Sequence, residues 1–83
     1  MTTINNNIVS YMTCKFFDVS YYTREEVDFF ANMLRTGCGF KVKVIEHKFN
    51  GYVTKYRVDV FNLQKEDLQR VEDNYNAFVQ YGM

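Results

Sequence analysis

The stretch that decides the fold is HKFNGYVTKY, residues 47–56, because Asn50-Gly51 stands between two runs of strand-forming residues. Asn-Gly is the strongest short-range signal for a β-hairpin, since both residues readily adopt the left-handed backbone of a two-residue turn. The flanking runs, 40–49 and 52–61, are rich in β-branched and aromatic residues. The sequence therefore predicts two antiparallel strands joined at this turn.

Two registers fit this hairpin, and the hydrophobic pattern selects between them. The first is a two-residue turn that pairs Phe49 with Tyr52. If this register continues along the strands, apolar and charged residues fall on both faces of the hairpin. A three-residue loop over 49–51, with Gly51 as the left-handed bulge residue, separates apolar from charged positions. We therefore predict the three-residue loop. Its apolar face carries Phe40, Val42, Val44, Tyr56, Val58 and Val60, and its other face carries Lys41, Lys43, Ile45, His47, Val53, Lys55, Arg57 and Asp59.

A further strand precedes the hairpin. The run IVSYMTCKFFDV, residues 8–19, is rich in β-branched and aromatic residues and predicts the first strand. Strict alternation divides its side chains between the two faces of the sheet. The predicted inward set is Met12, Cys14 and Phe16, and the predicted outward set is Tyr11, Thr13, Lys15 and Phe17.

A helix is predicted between the first and second strands. Thr23 and Glu26 have the spacing of a capping box, which places its start near residue 24. Gly37 predicts a left-handed stop after residue 36. The core-facing stripe is Val27, Phe30, Ala31 and Leu34. Phe29 and Met33 widen the apolar arc, so they either cover a small core or contact a partner or a second copy of the chain.

A second helix follows the hairpin, with Asn62 or Gln64 as its cap and Gly82 as its end. Its apolar stripe is Leu68, Val71, Tyr75 and Phe78. The predicted fold is α+β, in the order β-α-β-β-α: a split β-α-β, ferredoxin-like arrangement that lacks the last strand. Its three-stranded antiparallel sheet has the order 1-3-2 and both helices on one face. Residues 1–7 are predicted to be a flexible tail, and residues 8–83 a single domain with a free edge on strand one.

Composition narrows the function classes. Ten basic and ten acidic residues cancel, so the basic excess of a typical nucleic-acid-binding domain is missing. A net charge near zero favours self-association. Cys14 and Cys38 fall in separate elements and are predicted to be reduced thiols. No signal peptide or long apolar run is visible, so we expect a cytoplasmic protein without a membrane span.

No residue pattern predicts catalysis or a cofactor. His47 is the single histidine, and two separated cysteines cannot join it at a usable zinc-ligand spacing. Cys38 follows the end of a helix, where a thiolate is not stabilised. The GCG sequence also follows a helix, whereas a phosphate loop opens one. We therefore expect no enzyme, no metal and no cofactor.

The open face of the predicted sheet is the best candidate for a binding surface, because it mixes basic and aromatic residues. Its predicted binding residues are Tyr11, Lys15, Phe17, Lys41, Lys43, His47, Lys55 and Arg57. The topology is similar to that of the RNA-recognition motif up to its last strand, which implies a platform for stacked bases. YMTCKFFDV and KYRVDVF do not reproduce that family's signature octamer, so no residue role carries over.

Two functional hypotheses follow. The first is a non-catalytic protein-binding domain that uses its surplus aromatic residues, the free edge, or the Phe29 and Met33 surface. Its partner is a larger enzyme or complex, or a second copy in a homodimer. Size and composition are typical of phage and mobile-element proteins, so the hypothesis includes a stoichiometric, anti-CRISPR-like inhibitor of a defence enzyme in the host cytoplasm. The second is a small nucleic-acid-binding module using the open face.

Overall fold

The computed structural model describes the backbone of residues 8–81 and the side chains of residues 15–61 and 63–81. Within these residues the elements are β1 (Ile8–Asp18), α1 (Arg24–Asn32), β2 (Lys41–Phe49), β3 (Tyr52–Gln64) and α2 (Asp67–Tyr81). The strands form an antiparallel sheet in the order β1-β3-β2. The predicted α+β class, element order and strand order are confirmed. The predicted tail, residues 1–7, lies outside the described residues.

The hairpin turn between β2 and β3 has two residues, so the predicted three-residue loop is wrong. Asn50 has a φ of 52° and Gly51 a φ of 83°, which places both in the left-handed region. Phe49 pairs directly with Tyr52. The two-residue turn prevails because its backbone twist matches the right-handed twist of the flanking strands.

A β-bulge next to this turn restores the predicted faces of the hairpin. The register shifts by one residue between His47 and Lys48. Beyond the shift, Val42 pairs with Val60 and not with Val58, the partner that the three-residue loop predicts. The two pairings differ by two residues, and side chains alternate with a period of two, so the same residues point to the core. All three valines are buried.

The last residues of β1 face the opposite way from the prediction. Phe17 is fully buried, whereas Phe16 is 54% exposed, so the predicted faces of both are wrong. The cause is a register shift in β1 between Tyr11 and Cys14. Such a bulge reverses the alternation for every residue that follows it. Tyr11 pairs with Phe61 in the register, and its side chain lies outside the described residues.

Lys15 also lies on the covered side of the sheet, so its predicted place on the open face is wrong. Its ammonium forms an ion pair with Glu72 of α2. The same ammonium lies 4.2 Å from the centre of the Tyr75 ring. Both contacts join β1 to α2, and Lys15 therefore contributes to the packing of a helix on the sheet.

The first helix begins as predicted and ends one residue later than predicted, while its left-handed stop lies two residues later. Both hydrogen bonds of the capping box are present: Glu26 N–H donates to Thr23 Oγ1 at 3.1 Å, and Thr23 N–H donates to Glu26 Oε1 at 2.8 Å. After α1 the helix continues as a π-helical turn, Met33–Gly37. The left-handed stop is Gly39, with a φ of 76°, and not Gly37. Because the π-helical turn lengthens the helix, the left-handed residue that ends it lies further along the chain.

The second helix begins later than predicted because β3 is longer than predicted. Leu63 is fully buried, which keeps the chain extended through Gln64. The backbone N–H of Gln64 then donates to Asp67 Oδ2 at 3.1 Å, at the first turn of α2. Neither Asn62 nor Gln64 therefore lies next to the helix start, and the predicted end at Gly82 lies outside the described residues.

The core is rich in aromatic residues and lies between the sheet and the two helices. The ring of Phe17 on β1 lies 5.6 Å from that of Phe30 on α1 and 5.8 Å from that of Phe78 on α2. Both helices therefore cover the same face. The buried cluster is Phe17, Val27, Phe30, Ala31, Leu34, Val42, Val58, Val60, Leu63, Val71 and Phe78. The predicted stripe of α1 is confirmed.

Candidate binding surface on the open face

The open face is the side of the sheet turned away from both helices. The registers of the three strands define it, because residues that pair directly share a face. Arg57, for example, pairs with Phe16 on one side and with Ile45 on the other. The described residues of the open face are Phe16, Asp18, Lys41, Lys43, Ile45, His47, Phe49, Tyr52, Lys55, Arg57, Asp59 and Phe61.

An exposed aromatic ring, Phe16, lies on the β1 side of this face, opposite Arg57. The ring of His47 meets it edge-on, with the ring centres 5.6 Å apart and an interplanar angle of 78°. The ammonium of Lys55 lies 5.8 Å from the centre of the Phe16 ring. Phe16 thus joins side chains from all three strands. The sequence does not reveal that Phe16 is exposed, because the Phe16-Phe17 pair offers an aromatic residue to either face and the bulge decides between them.

His47 is held in place by its neighbours. Its carbonyl accepts a hydrogen bond from Thr54 Oγ1 at 3.3 Å, across the bulge beside the turn. Its Nε2 atom is buried and has no hydrogen-bond partner within the described part of the chain. His47 therefore contributes ring surface beside Phe16. The placement of His47 on the open face agrees with the sequence analysis.

Two more aromatic residues extend this surface to the tip of the hairpin. Phe49 and Tyr52 pair directly across the turn and are 68% and 77% exposed. Phe49 follows His47 by two residues, so strand alternation puts it on the same face. The bulge gives Val53 the register position opposite Lys48, which removes Val53 from its predicted place on the open face. We call Phe16, Phe49 and Tyr52 the aromatic row.

The cationic residues of the open face differ in their surroundings. Arg57 donates from Nε and Nη2 to Asp59 Oδ2, at 3.1 Å and 2.9 Å. Asp59 is only 2% exposed, so a buried carboxylate compensates Arg57. Lys41, Lys43 and Lys55 are exposed. All four lie on the face that the sequence predicts, and the lysines are the cations that a partner can reach.

The open face carries an excess of positive charge in a chain with none overall. Four cations, Lys41, Lys43, Lys55 and Arg57, accompany two carboxylates, Asp18 and Asp59, which leaves an excess of two. Every Lys, Arg, Asp and Glu of the chain lies among the residues whose side chains are described. Because the whole chain has ten of each sign, the remainder carries an excess of two negative charges.

The helix-one pair, Phe29 and Met33, lies on the other side of the sheet from the open face. Phe29 is 44% exposed, and its ring centre lies 6.4 Å from that of Phe78. Met33 is half-buried and packs against the core. These two residues are thus apart from the aromatic row, and Phe29 alone presents a substantial apolar surface to solvent.

The two outer strands differ in how their edges are covered. On β2, Arg35 Nη2 donates a hydrogen bond of 2.9 Å to the carbonyl of Val42. This side chain occupies part of the edge and hinders the pairing of another strand. No described segment pairs with the outer edge of β1. The free edge predicted for strand one is present within residues 8–81.

Other chemistry is sparse in the described part of the chain. Among these residues no group of three or more His, Cys, Asp and Glu side chains could hold a metal ion. Cys38 is a half-buried free thiol, and its sulfur accepts a hydrogen bond from the Asn74 amide at 3.4 Å. Neither described helix has both the length and the apolarity needed to cross a membrane.

Comparison with known proteins adds no relative: no protein family, curated protein or solved structure matches the chain. Any assignment of function therefore rests on the geometry of the chain itself.

Proposed function

We propose that the chain is a non-catalytic protein-binding domain that contacts its partner through the open face of the sheet. The observation that supports this proposal is the aromatic row, whose three rings are 54%, 68% and 77% exposed. Tyr and Phe are enriched at the centres of protein interfaces. An exposed apolar patch on a small domain is a frequent mark of an interaction site.

The expected energies indicate how much the aromatic row contributes. The exposed area of one such ring is on the order of 100 Å². Burying it contributes about 2.5 kcal/mol at about 25 cal/mol per Å². Three rings give roughly 7 kcal/mol, which is comparable with the 4–15 kcal/mol that association costs in lost freedom. The row can therefore anchor a complex, but contacts around it must supply the rest of the affinity.

The proposal extends to the kind of partner and to the setting. We propose a larger enzyme or complex as the partner, with the chain acting as a stoichiometric inhibitor of the anti-CRISPR kind in the cytoplasm of a host. A chain of 83 residues with one broad exposed face suits binding to a larger surface. We also relate the fold to a split β-α-β, ferredoxin-like arrangement without its last strand, which the order β1-β3-β2 supports.

Substitutions on the open face test this function against a matched control. A partner captured from host extract is identified and purified, and its binding is then titrated by calorimetry. We expect a stoichiometric complex in which Phe16→Ala and Tyr52→Ala each weaken binding about tenfold or more. Tyr21→Ala, at an 80% exposed residue outside the sheet, should leave the affinity unchanged. Loss of binding in Phe29→Ala with normal binding in Phe16→Ala would move the interface to helix one.

A nucleic-acid-binding module is the second candidate, because the Phe16 ring lies beside Lys55 and His47 on a face with exposed lysines. Bases stack on such rings while lysines contact phosphates. The carboxylates of Asp18 and Asp59 on the same face weaken this candidate. A labelled oligothymidylate tests it: binding that falls steeply between about 50 and 300 mM salt would favour nucleic acid over protein.

A further inference from the structure

Two of the three exposed rings of the open face lie at the opposite end of the hairpin from Lys41 and Lys43, and the third, Phe16, lies on β1 opposite Arg57. Phe49 and Tyr52 are at the turn, whereas Lys41 and Lys43 are at the far end of β2. A strand rises about 3.3 Å per residue, so the Cα atoms of Lys43 and Phe49 are about 20 Å apart. Lys55 lies between these two ends. A partner that covers the whole face must therefore match a surface that is positively charged at one end and aromatic at the other.

The lysine end is open to a partner of opposite charge. Within the described part of the chain, no carboxylate forms an ion pair with Lys41 or Lys43. Of the two carboxylates on the face, Asp59 is buried against Arg57. The other, Asp18, accepts a hydrogen bond of 2.8 Å from the backbone N–H of Ser20. Asp59 pairs with Lys43 in the strand register, but its carboxylate is bonded to Arg57, and no ion pair between Asp59 and Lys43 forms in the described part of the chain.

The charge distribution of the open face disfavours two other binding partners, a second copy of the chain and a nucleic-acid strand. A second copy that stacked its open face on this one would bring two positive surfaces together, which opposes association. A nucleic-acid strand is held by cations that follow its backbone, and beyond Lys55 the hairpin end of the open face holds rings without a lysine. A protein surface can combine carboxylates at one end with apolar groups at the other.

We infer that the partner is a protein with an acidic docking surface, whose carboxylates lie over Lys41 and Lys43 and whose apolar groups cover the aromatic row. This inference rests on the proposed function, because it specifies the chemistry of the partner at the same face. The lysines then speed the encounter and set the orientation, while the rings anchor the complex.

Residue-resolved NMR on the isotope-labelled full chain tests this inference with defined probes. The first probe is a short peptide that alternates glutamate with phenylalanine, and the second replaces every glutamate with glutamine. The third is an oligothymidylate. We expect the glutamate peptide to shift the amide signals of Lys43, Phe16 and Tyr52, and to bind several-fold more tightly than the glutamine peptide, with the difference shrinking as salt rises.

Two lysine variants separate charge on the open face from charge elsewhere. The double substitution Lys41→Glu with Lys43→Glu should abolish the preference for the glutamate peptide. The matched variant, Lys48→Glu with Lys65→Glu, changes two exposed lysines outside the open face and should preserve it. All four side chains are exposed, so the fold should persist in both variants.

The outcomes distinguish failure of this inference from failure of the proposed function. Equal binding of the two peptides on the open face would overturn the acidic partner and keep the protein-binding function. If neither peptide shifts signals on that face, both the inference and the function are wrong. Tighter, strongly salt-dependent binding of the oligothymidylate would replace both with nucleic-acid binding.

Discussion

The two faces of the sheet make different use of the same kinds of residue. Phe16 and Phe17 are neighbours on β1, yet the first is 54% exposed and the second fully buried. Lysines divide in the same way: Lys15 is tied to Glu72 beneath α2, whereas Lys43 is exposed on the open face. Residue type alone therefore does not assign a role. The position of a residue relative to a bulge decides whether it stabilises the fold or faces a partner.

The covered face holds most of the stabilising apolar contacts, which leaves the open face available for binding. Phe17 touches rings from both helices, so its burial joins the sheet and the two helices in one core. Among the residues whose side chains are described, the ring and cation contacts of Phe16 are with His47 and Lys55, at the surface of the sheet. Residues that contribute little to folding can be selected for recognition. Asp59 is an exception, because it is buried on the open face.

The largest expected contrast comes from truncating each of the two phenylalanines. Phe17→Ala removes a fully buried ring and should lower the free energy of unfolding by about 3–5 kcal/mol. That is most of the stability expected of a domain of this size. Phe16→Ala should cost less than about 1 kcal/mol, because its ring is already half in water. Urea unfolding followed by circular dichroism measures both, and equal losses would contradict the division of the two faces.

Much of the covered face could be predicted from the sequence because helical and strand periods are local signals. The stripe Val27, Phe30 and Leu34 is fully buried as predicted, and the capping box of Thr23 and Glu26 forms. Beyond the bulge beside the turn, the hairpin faces were also predicted correctly, although the turn itself and the face of Val53 were not. The predicted and observed registers differ by two residues, and a shift of two leaves every side chain on its own face.

The open face was harder to predict because one bulge in β1 reverses its contribution. Between Tyr11 and Cys14 the register shifts, and alternation from the start of the strand then assigns Phe16 and Phe17 to the wrong sides. Nothing in a Phe-Phe pair identifies which ring is buried. The helix stop was missed for a similar reason: the π-helical turn adds length, so the left-handed residue is Gly39. Bulges of both kinds depend on packing between distant segments.

A smaller effect is expected from the turn that sets the register of the open face. Gly51 has a φ of 83°, so Gly51→Ala places a side chain in the left-handed region and should cost about 1–2 kcal/mol. Gly37→Ala is the matched control, because Gly37 is not left-handed and a Cβ there meets nothing within 4 Å. Thermal or urea unfolding compares the two variants. An equal loss in both would contradict the left-handed backbone of Gly51 at the turn.

The smallest expected effect is the pH dependence that Asp18 contributes at the edge of the open face. The backbone N–H of Ser20 donates to this carboxylate and lowers its pKa below the ordinary value of 3.8. The charged form is thus favoured in the folded chain, so the stabilisation is fully present above that ordinary value and is lost as the pH falls through the lowered pKa. Because Asp18 is fully exposed, solvent keeps the effect small. The difference in urea midpoint between the natural chain and Asp18→Ala should be constant near neutral pH and should shrink below about pH 4. A difference that grows on acidification would show that Asp18 is destabilising when charged, and that the Ser20 contact does not hold in solution.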